Sequence, residues 1–360
     1  MESAYVHIPF CKSICSYCDF CKVLYNGPWI TKYLNALLLE INNRYDGDKI
    51  KTLYIGGGTP SALGIKDIKY LFQILNKMDL SSLEELTFEC NLNDINEELL
   101  MCLKEHRVNR LSIGIESFND EKLKFMERYH TYDDAENKIS LARSMGFDNI
   151  NIDLIYGIPG ETTKDLIKDL ELFLKLKPDH ISTYSLIIDD NTKIGISKID
   201  PISEELDASM YEYICDILKK EGFDHYEVSN FAKNGKISKH NLKCWNNEEY
   251  YGFGCGAAGY IHGVRYENTK SLTSYLKGKT TLKEEVLSKE DKMYNEAMLG
   301  FRKMKGINLE EFYNKYHINF QEAFDIKQVL RDNELIYKDG YIFINPKYIY
   351  VMNEILIKII

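Results

Sequence analysis

Short β-forming segments alternate with amphipathic helical runs through the first half of the chain, and this alternation limits its possible folds more than any other feature. The β-forming segments are rich in Ile, Leu, Thr and Tyr, and the runs between them place apolar residues at helical spacing. Six strands are predicted, at 5–8, 52–55, 86–89, 111–114, 150–155 and 180–186. The helical runs lie at 29–45, 68–78, 97–106, 135–145 and 166–176.

Strands that alternate with helices form parallel sheets, because each helix carries the chain back to begin the next strand beside the last. The sequence therefore predicts an α/β fold with a barrel-like or a doubly wound parallel sheet. In both architectures, ligands bind in the loops at the carboxyl ends of the strands. Polar residues that follow the predicted strands are therefore the first candidates for a functional site.

The alternation stops after a helical run at 204–220. The stretch 226–260 is rich in Asn, Gly, Tyr and Lys, which predicts an irregular connecting region. Beyond residue 289, helical patterns surround a predicted hairpin at 334–344, a combination that resembles a small winged-helix cap. We therefore predict three parts of the chain: an α/β core at 1–228, a connecting region at 229–285, and a mainly helical, winged-helix-like cap at 286–360.

The chain is acidic, since 45 Lys and Arg stand against 55 Asp and Glu, giving a formal net charge of -10. No long basic run occurs, so nothing predicts a nucleic-acid partner. No stretch is apolar enough to predict a transmembrane segment, and the first residues lack the pattern of a secretory signal. We expect a cytoplasmic protein, for which a peripheral contact with a membrane surface stays open.

Cysteines cluster near the start of the chain, where four of the nine lie between Cys11 and Cys21. In a chain of this size, such clustering predicts a metal site in a reducing compartment. Cys11, Cys15 and Cys18 have CxxxCxxC spacing just after the first predicted strand. Three thiolates would hold an iron–sulfur cluster and leave one iron open to chelate a ligand's amino and carboxylate groups. A zinc site or a closed cluster is the alternative, because Cys21 offers a fourth thiolate.

Polar residues follow the other strands as well. A triple glycine precedes Thr59 after the second strand and permits close backbone approach to a charged ligand, although a tight turn would also explain it. A carboxylate at a strand end could bind a ligand or cap the next helix. The charged residues near strand ends are Glu89, Glu116, Arg128 and Asp153.

Together these features resemble the radical-SAM superfamily, whose signature is CxxxCxxC with an aromatic residue, here Tyr17, before the last cysteine. In that superfamily a [4Fe–4S] cluster passes an electron to S-adenosylmethionine, whose carbon–sulfur bond breaks to give a 5′-deoxyadenosyl radical. The resemblance implies an open (β/α)6 partial TIM barrel with the cluster on Cys11, Cys15 and Cys18.

The resemblance also implies which residues bind the cofactor. Positions that match glycine and strand-end motifs of the coproporphyrinogen III oxidase-like family would contact the amino-acid and ribose groups of S-adenosylmethionine. These positions are Tyr5, Tyr17, Gly57, Gly58, Thr59, Glu89, Arg128 and Asp153. The chain departs from that family at Glu116, where glutamine is usual. A carboxylate only accepts hydrogen bonds, so Glu116 requires a donor partner, for which Arg128 is the candidate.

Nearly the whole chain resembles the haem-chaperone branch of that family. The matching segments are HIPFC at 7–11, GGGTP at 56–60, NRLSIG at 109–114, NIDLIYGIPG at 151–160 and YEVSNFA at 226–232. This resemblance implies a protein of haem metabolism that binds haem or a porphyrin and delivers haem to recipient proteins. The alternative is an oxygen-independent coproporphyrinogen III oxidase, which decarboxylates its substrate to protoporphyrinogen IX. The early position of Tyr5 and the spacing from Cys18 to Cys21 argue against that enzyme.

His240 and Trp245 resemble the segment through which this branch is thought to bind haem. A neutral imidazole is a sound ligand for haem iron, and a tryptophan packs well on a porphyrin face. The alternative is a loop histidine that bonds to the backbone beside a packing tryptophan. Two residues depart from the family pattern here, since Cys244 replaces a tyrosine and Ala258 replaces a histidine.

Overall fold

A nine-stranded sheet forms the centre of the protein, which we describe over residues 1–360 from a computed structural model. The strands in chain order are β1 (Ser3–Ile8), β2 (Phe10–Cys11), β3 (Val23–Leu24), β4 (Thr52–Gly57), β5 (Glu85–Asn91), β6 (Arg110–Glu116), β7 (Ile150–Tyr156), β8 (His180–Ser185), β9 (Asp224–Glu227), β10 (Asn230–Ala232), β11 (Tyr251–Phe253), β12 (Ala258–Ile261), β13 (Val264–Asn268), β14 (Thr281–Val286), β15 (Ile307–Asn308), β16 (Leu335–Lys338) and β17 (Tyr341–Ile344).

Helices follow most strands of the sheet. The α-helices are α1 (Gly27–Arg44), α2 (Ile65–Leu75), α3 (Glu97–Glu105), α4 (Asp120–Phe125), α5 (Tyr132–Ser144), α6 (Thr163–Lys175), α7 (Lys193–Ile196), α8 (Glu204–Lys220), α9 (Lys239–Trp245), α10 (Leu272–Tyr275), α11 (Lys289–Gly300), α12 (Leu309–Tyr316), α13 (Phe320–Ala323), α14 (Lys327–Arg331) and α15 (Met352–Ile359). Three short 3-10 helices lie at Pro60–Ala62, Leu92–Asp94 and Pro346–Tyr348.

The six predicted strands are confirmed as β1, β4, β5, β6, β7 and β8, which neighbour one another in chain order and are all parallel. The sheet does not close on itself, since β11 lies at one edge and β9 at the other. The α/β fold with an open partial barrel is therefore confirmed. Local signals begin its helices: α5, α6 and α11 each start with a capping box, for example Thr131 with Asp134.

Alternation along the strands sorts side chains between the two faces of the sheet. On β4, Leu53 and Ile55 are fully buried against the helices, whereas Tyr54 between them points into the barrel and bonds to Glu89. The other central strands repeat this pattern of apolar outer and polar inner residues. Inner-face residues paired across neighbouring strands are Tyr5 with Tyr54, Glu89 with Ser112, Ser112 with Asn151, and Asp153 with Ser182.

The stretch 226–260 differs from the irregular region expected, because it contributes strands to both edges of the sheet. β10 pairs antiparallel with β8, and β11 pairs parallel with β1. Each has only three residues, too few to show an alternating pattern, and each is stabilised by an existing strand edge. The predicted boundary at residue 228 falls between β9 and β10, which pair with each other, so the threefold division remains a prediction.

The last part of the chain is mainly helical. Helices α11 to α15 pack around a three-stranded sheet in the order β15-β17-β16, whose hairpin turns at Asp339 and Gly340 with positive φ at both residues. Its apolar residues, such as Phe301 and Phe312, belong to the same continuous hydrophobic core as the large sheet. No helix of the chain combines the length and the apolar character needed to cross a membrane.

Candidate functional site

The three cysteines of the CxxxCxxC segment lie on one loop at the carboxyl end of β1. Cys11 is the last residue of β2, and β2 pairs with β3 so that the base of the loop is closed. Ser16 anchors the middle of the loop, because its hydroxyl donates to the Phe125 carbonyl at 2.6 Å and its amide donates to the Met126 carbonyl at 3.3 Å. The cysteine loop, residues 11–24, is thus fixed against α4.

Two hydrogen-bond donors reach the sulfur atoms of this loop. The Thr59 hydroxyl donates to Cys11 Sγ at 3.4 Å, and the Arg128 guanidinium donates to Cys15 Sγ at 3.7 Å. Burial raises the pKa of Cys11 to about 11, and the neighbouring Cys18 and Cys15 thiols raise it further. A metal must therefore displace the Cys11 proton when it binds, and the two donors stabilise the resulting thiolates.

The triple glycine at the end of β4 is required because two site residues, Glu89 and Cys11, approach it closely. A Cβ on Gly56 would lie 2.7 Å from the Glu89 carboxyl carbon, and one on Gly58 would lie 2.9 Å from Cys11 Sγ. Gly57 has a φ of 117°, which side-chain-bearing residues rarely adopt. The glycines leave room for Glu89 and Cys11 to approach the end of β4, so the motif does more than make a turn.

Glu89 lies on the inner face of β5 beside this motif. Its carboxylate accepts from the Tyr54 hydroxyl at 2.7 Å and from the Gly57 amide at 2.9 Å. Burial within the barrel raises the pKa of Glu89 to about 7, and the nearby Asp153 carboxylate adds to the shift. Glu89 does not cap the following 3-10 helix, since the Asn91 side chain occupies that position. The carboxylate is therefore available to a ligand at the mouth of the barrel.

Glu116 and Arg128 form a buried ion pair next to the cysteine loop, as the sequence indicated. Their side chains are 3.6 Å apart, and the Tyr17 hydroxyl donates to Glu116 at 3.2 Å. Glu116 ends β6 at a register shift with a φ of 72°, a conformation that costs a residue with a side chain about 1–3 kcal/mol. Burial raises the pKa of Glu116 to about 7, although Arg128 opposes this shift.

A buried network that the sequence did not reveal holds the turn after Glu116. The Lys122 ammonium donates to Glu161 at 2.6 Å and to Asp169 at 2.8 Å. Asp169 also accepts from the Ser117 hydroxyl at 2.6 Å and from the Phe118 amide at 2.8 Å. All of these charged groups are buried. The network therefore fixes the backbone that sets the strained conformation of Glu116.

Asp153 and Tyr5 complete the inner face of the barrel near its mouth. Asp153 accepts from the Asn151 amide at 2.9 Å, and burial raises its pKa. The Tyr5 hydroxyl lies 3.0 Å from His7 Nδ1, and His7 Nε2 lies 2.7 Å from the Cys21 carbonyl. Because a carbonyl only accepts, His7 carries its proton on Nε2 and accepts from Tyr5. His7 is neutral, since burial lowers its pKa to about 4.

The donor set fits an iron–sulfur cluster with a small, charged ligand beside it. Three thiols share one loop, Gly58 gives the backbone close access to Cys11, and the buried Arg128 Nε has no hydrogen-bond partner of its own. Nowhere in the chain are three or more His, Cys, Asp or Glu side chains grouped as ligands of one metal ion. A cluster of several atoms is larger than an ion, so its thiolates stand farther apart than those of a zinc site.

The structure does not bring His240 to this site. His240 lies on α9 and is only 5% exposed. Its ring packs at a tilt against Tyr54, with the ring centroids 5.3 Å apart, and its Nδ1 is 3.3 Å from the Thr52 hydroxyl at the start of β4. The cysteines lie at the opposite ends of the strands. Burial lowers the pKa of His240 to about 3. This geometry favours a structural histidine over an exposed haem ligand, with helix α9 in place of the expected loop.

Sequence reasoning missed three contributors to the site: Tyr54, His7 and Lys122. The alternation of strand residues was a usable signal for the first two, because Tyr54 precedes Gly56 by two residues and His7 follows Tyr5 by two. No local pattern marks Lys122, whose carboxylate partners lie 39 and 47 residues further along the chain.

Comparisons with known proteins agree with this architecture. A model of the radical SAM superfamily matches residues 5–173, and a model of the HemN C-terminal domain matches residues 287–347. Among solved structures, coproporphyrinogen III oxidase (HemN) from Escherichia coli, described as a radical SAM enzyme, is similar with a TM-score of 0.87. That match covers 99% of this chain and 89% of the other at 21% identity, so it concerns the fold alone.

Sequence identity to curated relatives shows the family to which the chain belongs. The chain is 44% identical to a protein of Lactococcus lactis subsp. lactis named Heme chaperone HemW, with 94% of this chain and 91% of the relative covered. It is 38% identical to the protein of that name from Bacillus subtilis, with 92% and 91% covered. For the Escherichia coli protein of that name, identity is 31% and coverage is 86% and 85%. The chain belongs to the HemW family of the radical SAM superfamily.

Proposed function

We propose that the protein holds a [4Fe–4S] cluster on Cys11, Cys15 and Cys18, binds S-adenosylmethionine beside it, and delivers haem to recipient proteins. One observation supports the first two parts most directly. The cysteine loop, the triple glycine, Glu89 and the Glu116–Arg128 pair converge at the carboxyl ends of neighbouring strands, where barrels of this kind bind ligands.

When bound, the cluster supplies an electron that cleaves the carbon–sulfur bond of S-adenosylmethionine. The chain's own residues would position S-adenosylmethionine and balance the charges around it. In the proposed arrangement, Glu89 accepts from the ligand's ammonium group, while backbone groups of Gly57, Gly58 and Thr59 meet its amino-acid end. Asp153 and Glu116 would bind the rest of the cofactor, and Arg128 would offset their negative charge and stabilise the Cys15 thiolate. Tyr5 contributes by fixing His7 beneath Gly57.

The haem part of the proposal is supported by relatives with 31–44% identity that are named Heme chaperone HemW. The partners proposed are therefore haem and the proteins that receive it. The buried position of His240 gives no support to that residue as the haem ligand. Oxidation of coproporphyrinogen III is not favoured, because the structural similarity to the oxidase is accompanied by only 21% identity.

The test begins with full-length protein whose cluster is reconstituted anaerobically. We expect iron and sulfide to bind in equal amounts, S-adenosylmethionine to be cleaved on reduction, and hemin to bind saturably in a Soret-band titration. Cys15→Ser should abolish cleavage and leave hemin binding unchanged. Zinc binding without sulfide would refute the cluster. Decarboxylated product from coproporphyrinogen III, lost in Cys15→Ser, would make the protein an oxidase and overturn haem delivery.

A further inference from the structure

A second pair of cysteines lies beside the cysteine loop. The sulfur atoms of Cys21 and Cys255 are 3.8 Å apart, although the residues are 234 positions apart in sequence. Both thiols are free. Cys21 follows the predicted cluster ligand Cys18, and Cys255 belongs to the segment after β11. The Cys21 thiol is therefore directed toward a thiol of the connecting region, which gives it a partner of its own.

Both members of the pair are held in place by buried groups. His7 Nε2 donates to the Cys21 carbonyl at 2.7 Å, and the Cys255 amide donates to the Tyr33 hydroxyl at 3.2 Å. The next residue, Gly256, has a φ of 80°, and a Cβ there would lie 2.4 Å from the Cys21 Cβ. The two backbones thus approach as closely as a glycine permits, so the short distance between the sulfur atoms is built into the packing.

The two thiols have unequal environments, as an attacking and a resolving cysteine require. Cys21 is half-buried, whereas Cys255 is fully buried, with its sulfur 3.1 Å from the Thr269 carbonyl oxygen. The adjacent Cys255 thiol lowers the pKa of Cys21, with the Lys270 and Lys22 charges acting in the same direction. The thiolate is the reactive form of cysteine, so Cys21 is the accessible nucleophile of the pair.

We propose that Cys21 and Cys255 are a redox modification site, an oxidisable dithiol that peroxide converts to a disulfide. The Cys21 thiolate attacks one oxygen of hydrogen peroxide, the O–O bond breaks, and Cys21 becomes a sulfenic acid. The hydroxide that leaves takes up the proton that the Cys21 thiol released and becomes water. The Cys255 sulfur then attacks the Cys21 sulfur and expels a second water. Two thiols and one peroxide thus give one disulfide and two waters.

Formation of the Cys21–Cys255 disulfide would link the cysteine loop covalently to the segment after β11. A disulfide requires the sulfur atoms to approach to about 2 Å, and Cys21 is the partner that is only half-buried. The loop that carries Cys18 would then be tied to the edge strand of the sheet. This proposal does not rest on bound cluster, because the pair is formed by protein groups alone.

The test uses the full chain, cluster-free and cluster-loaded, exposed to stoichiometric hydrogen peroxide and then alkylated after denaturation. Mass spectrometry without reduction should show one peptide pair that joins Cys21 to Cys255, with the loss of two free thiols. In Cys255→Ala, dimedone should trap the sulfenic acid on Cys21. Cys102→Ala, which removes another buried thiol, should leave the cross-link unchanged.

A second measurement covers the case in which a variant fails to fold. Phenylarsine oxide binds two adjacent thiols with loss of water, and it should protect Cys21 and Cys255 together from alkylation in the native chain. A disulfide from Cys21 to Cys11, Cys15 or Cys18, or an unreacted Cys255, would overturn the proposal. So would loss of iron in reconstituted Cys21→Ala, which would make Cys21 a cluster ligand. None of these readouts depends on cleavage of S-adenosylmethionine.

Discussion

The Glu116 carboxylate and the Arg128 guanidinium lie 3.6 Å apart, and each side chain is only 9% exposed. Arg128 also donates to the Gly114 carbonyl and to Cys15 Sγ, so one cation connects the end of β6 to the cysteine loop. The Glu116 carboxylate is buried beside this cation. The negative charge of Glu116 is tolerated in this buried position because Arg128 and the Tyr17 hydroxyl surround the carboxylate.

Replacing Arg128 by Met should destabilise the protein, because Glu116 would stay buried near Asp153 and Glu89 without a cation. Breaking a buried ion pair from one side costs about 3 kcal/mol. We expect the urea unfolding midpoint of the cluster-free chain at pH 8 to fall accordingly. Adding Glu116→Gln should restore most of the loss, since the amide still accepts from Tyr17. Strictly additive effects of the two substitutions would contradict this coupling.

Gly56→Ala should weaken S-adenosylmethionine binding without unfolding the chain. The added Cβ would lie 2.7 Å from the Glu89 carboxyl carbon and force that carboxylate out of place. We expect a loss of affinity of at least about tenfold, which corresponds to about 1.4 kcal/mol. Equilibrium dialysis with reconstituted protein measures this change. Gly27→Ala is the matched control, because nothing lies within 4 Å of its Cβ position, and its affinity should equal that of the wild type.

Lys122→Met should lower both stability and cofactor affinity. The substitution leaves Glu161 and Asp169 buried without their shared cation and releases the turn that follows Glu116. Loss of such a partner costs about 3–5 kcal/mol. Thermal unfolding and dialysis measure the two effects. Lys124→Met changes an exposed residue of the same helix and should alter neither, so a similar loss in both variants would exclude the network as the cause.

Glu227 should make the protein less stable as the pH rises. This carboxyl is fully buried, and neither of its oxygens has a hydrogen bond of normal geometry, although Trp245 and Arg302 lie nearby. Burial raises its pKa from 4.5 to about 7. Below pH 4.5 the group is protonated in both the folded and the unfolded state. Between those pKa values only the folded state keeps the proton, so stability falls through this window.

Glu227→Gln removes that proton linkage. The variant should gain stability relative to the wild type as the pH rises from 4.5 to 8, reaching about 3 kcal/mol at the upper limit. Urea unfolding at several pH values measures the difference. Glu221→Gln, an exposed neighbour in sequence, should show the pH dependence of the wild type. A constant difference between Glu227→Gln and the wild type at every pH would contradict the shifted pKa.

His240→Gln should reduce stability and leave hemin affinity unchanged. The substitution removes the imidazole from a tilted ring contact with Tyr54 and from a buried polar contact with Thr52. Removal of a buried hydrogen bond costs about 1 kcal/mol. Thermal unfolding and a Soret-band titration separate the two properties. Weaker hemin binding by a folded variant would show that α9 opens to expose this residue.

Local patterns in the sequence determined the central fold. Each of the six parallel strands is a short β-forming segment followed by an amphipathic helix, and neighbours in sequence became neighbours in the sheet. The CxxxCxxC spacing lies within a single loop, and the triple glycine lies at one strand end, so both were visible without a structure. The positions of Glu89 and Glu116 also followed, because parallel strands bring their carboxyl ends to one edge.

Only the tertiary structure decided the features that depend on residues far apart in the chain. Cys21 meets Cys255 across 234 positions, Lys122 meets Asp169 across 47, and His240 is buried against Thr52 across 188. The three-residue strands β10 and β11 are too short to be recognised and exist because β8 and β1 offer unpaired backbone groups. Periodicity reports which face of an element is apolar, whereas the partner of a buried polar group is set by how the whole chain packs.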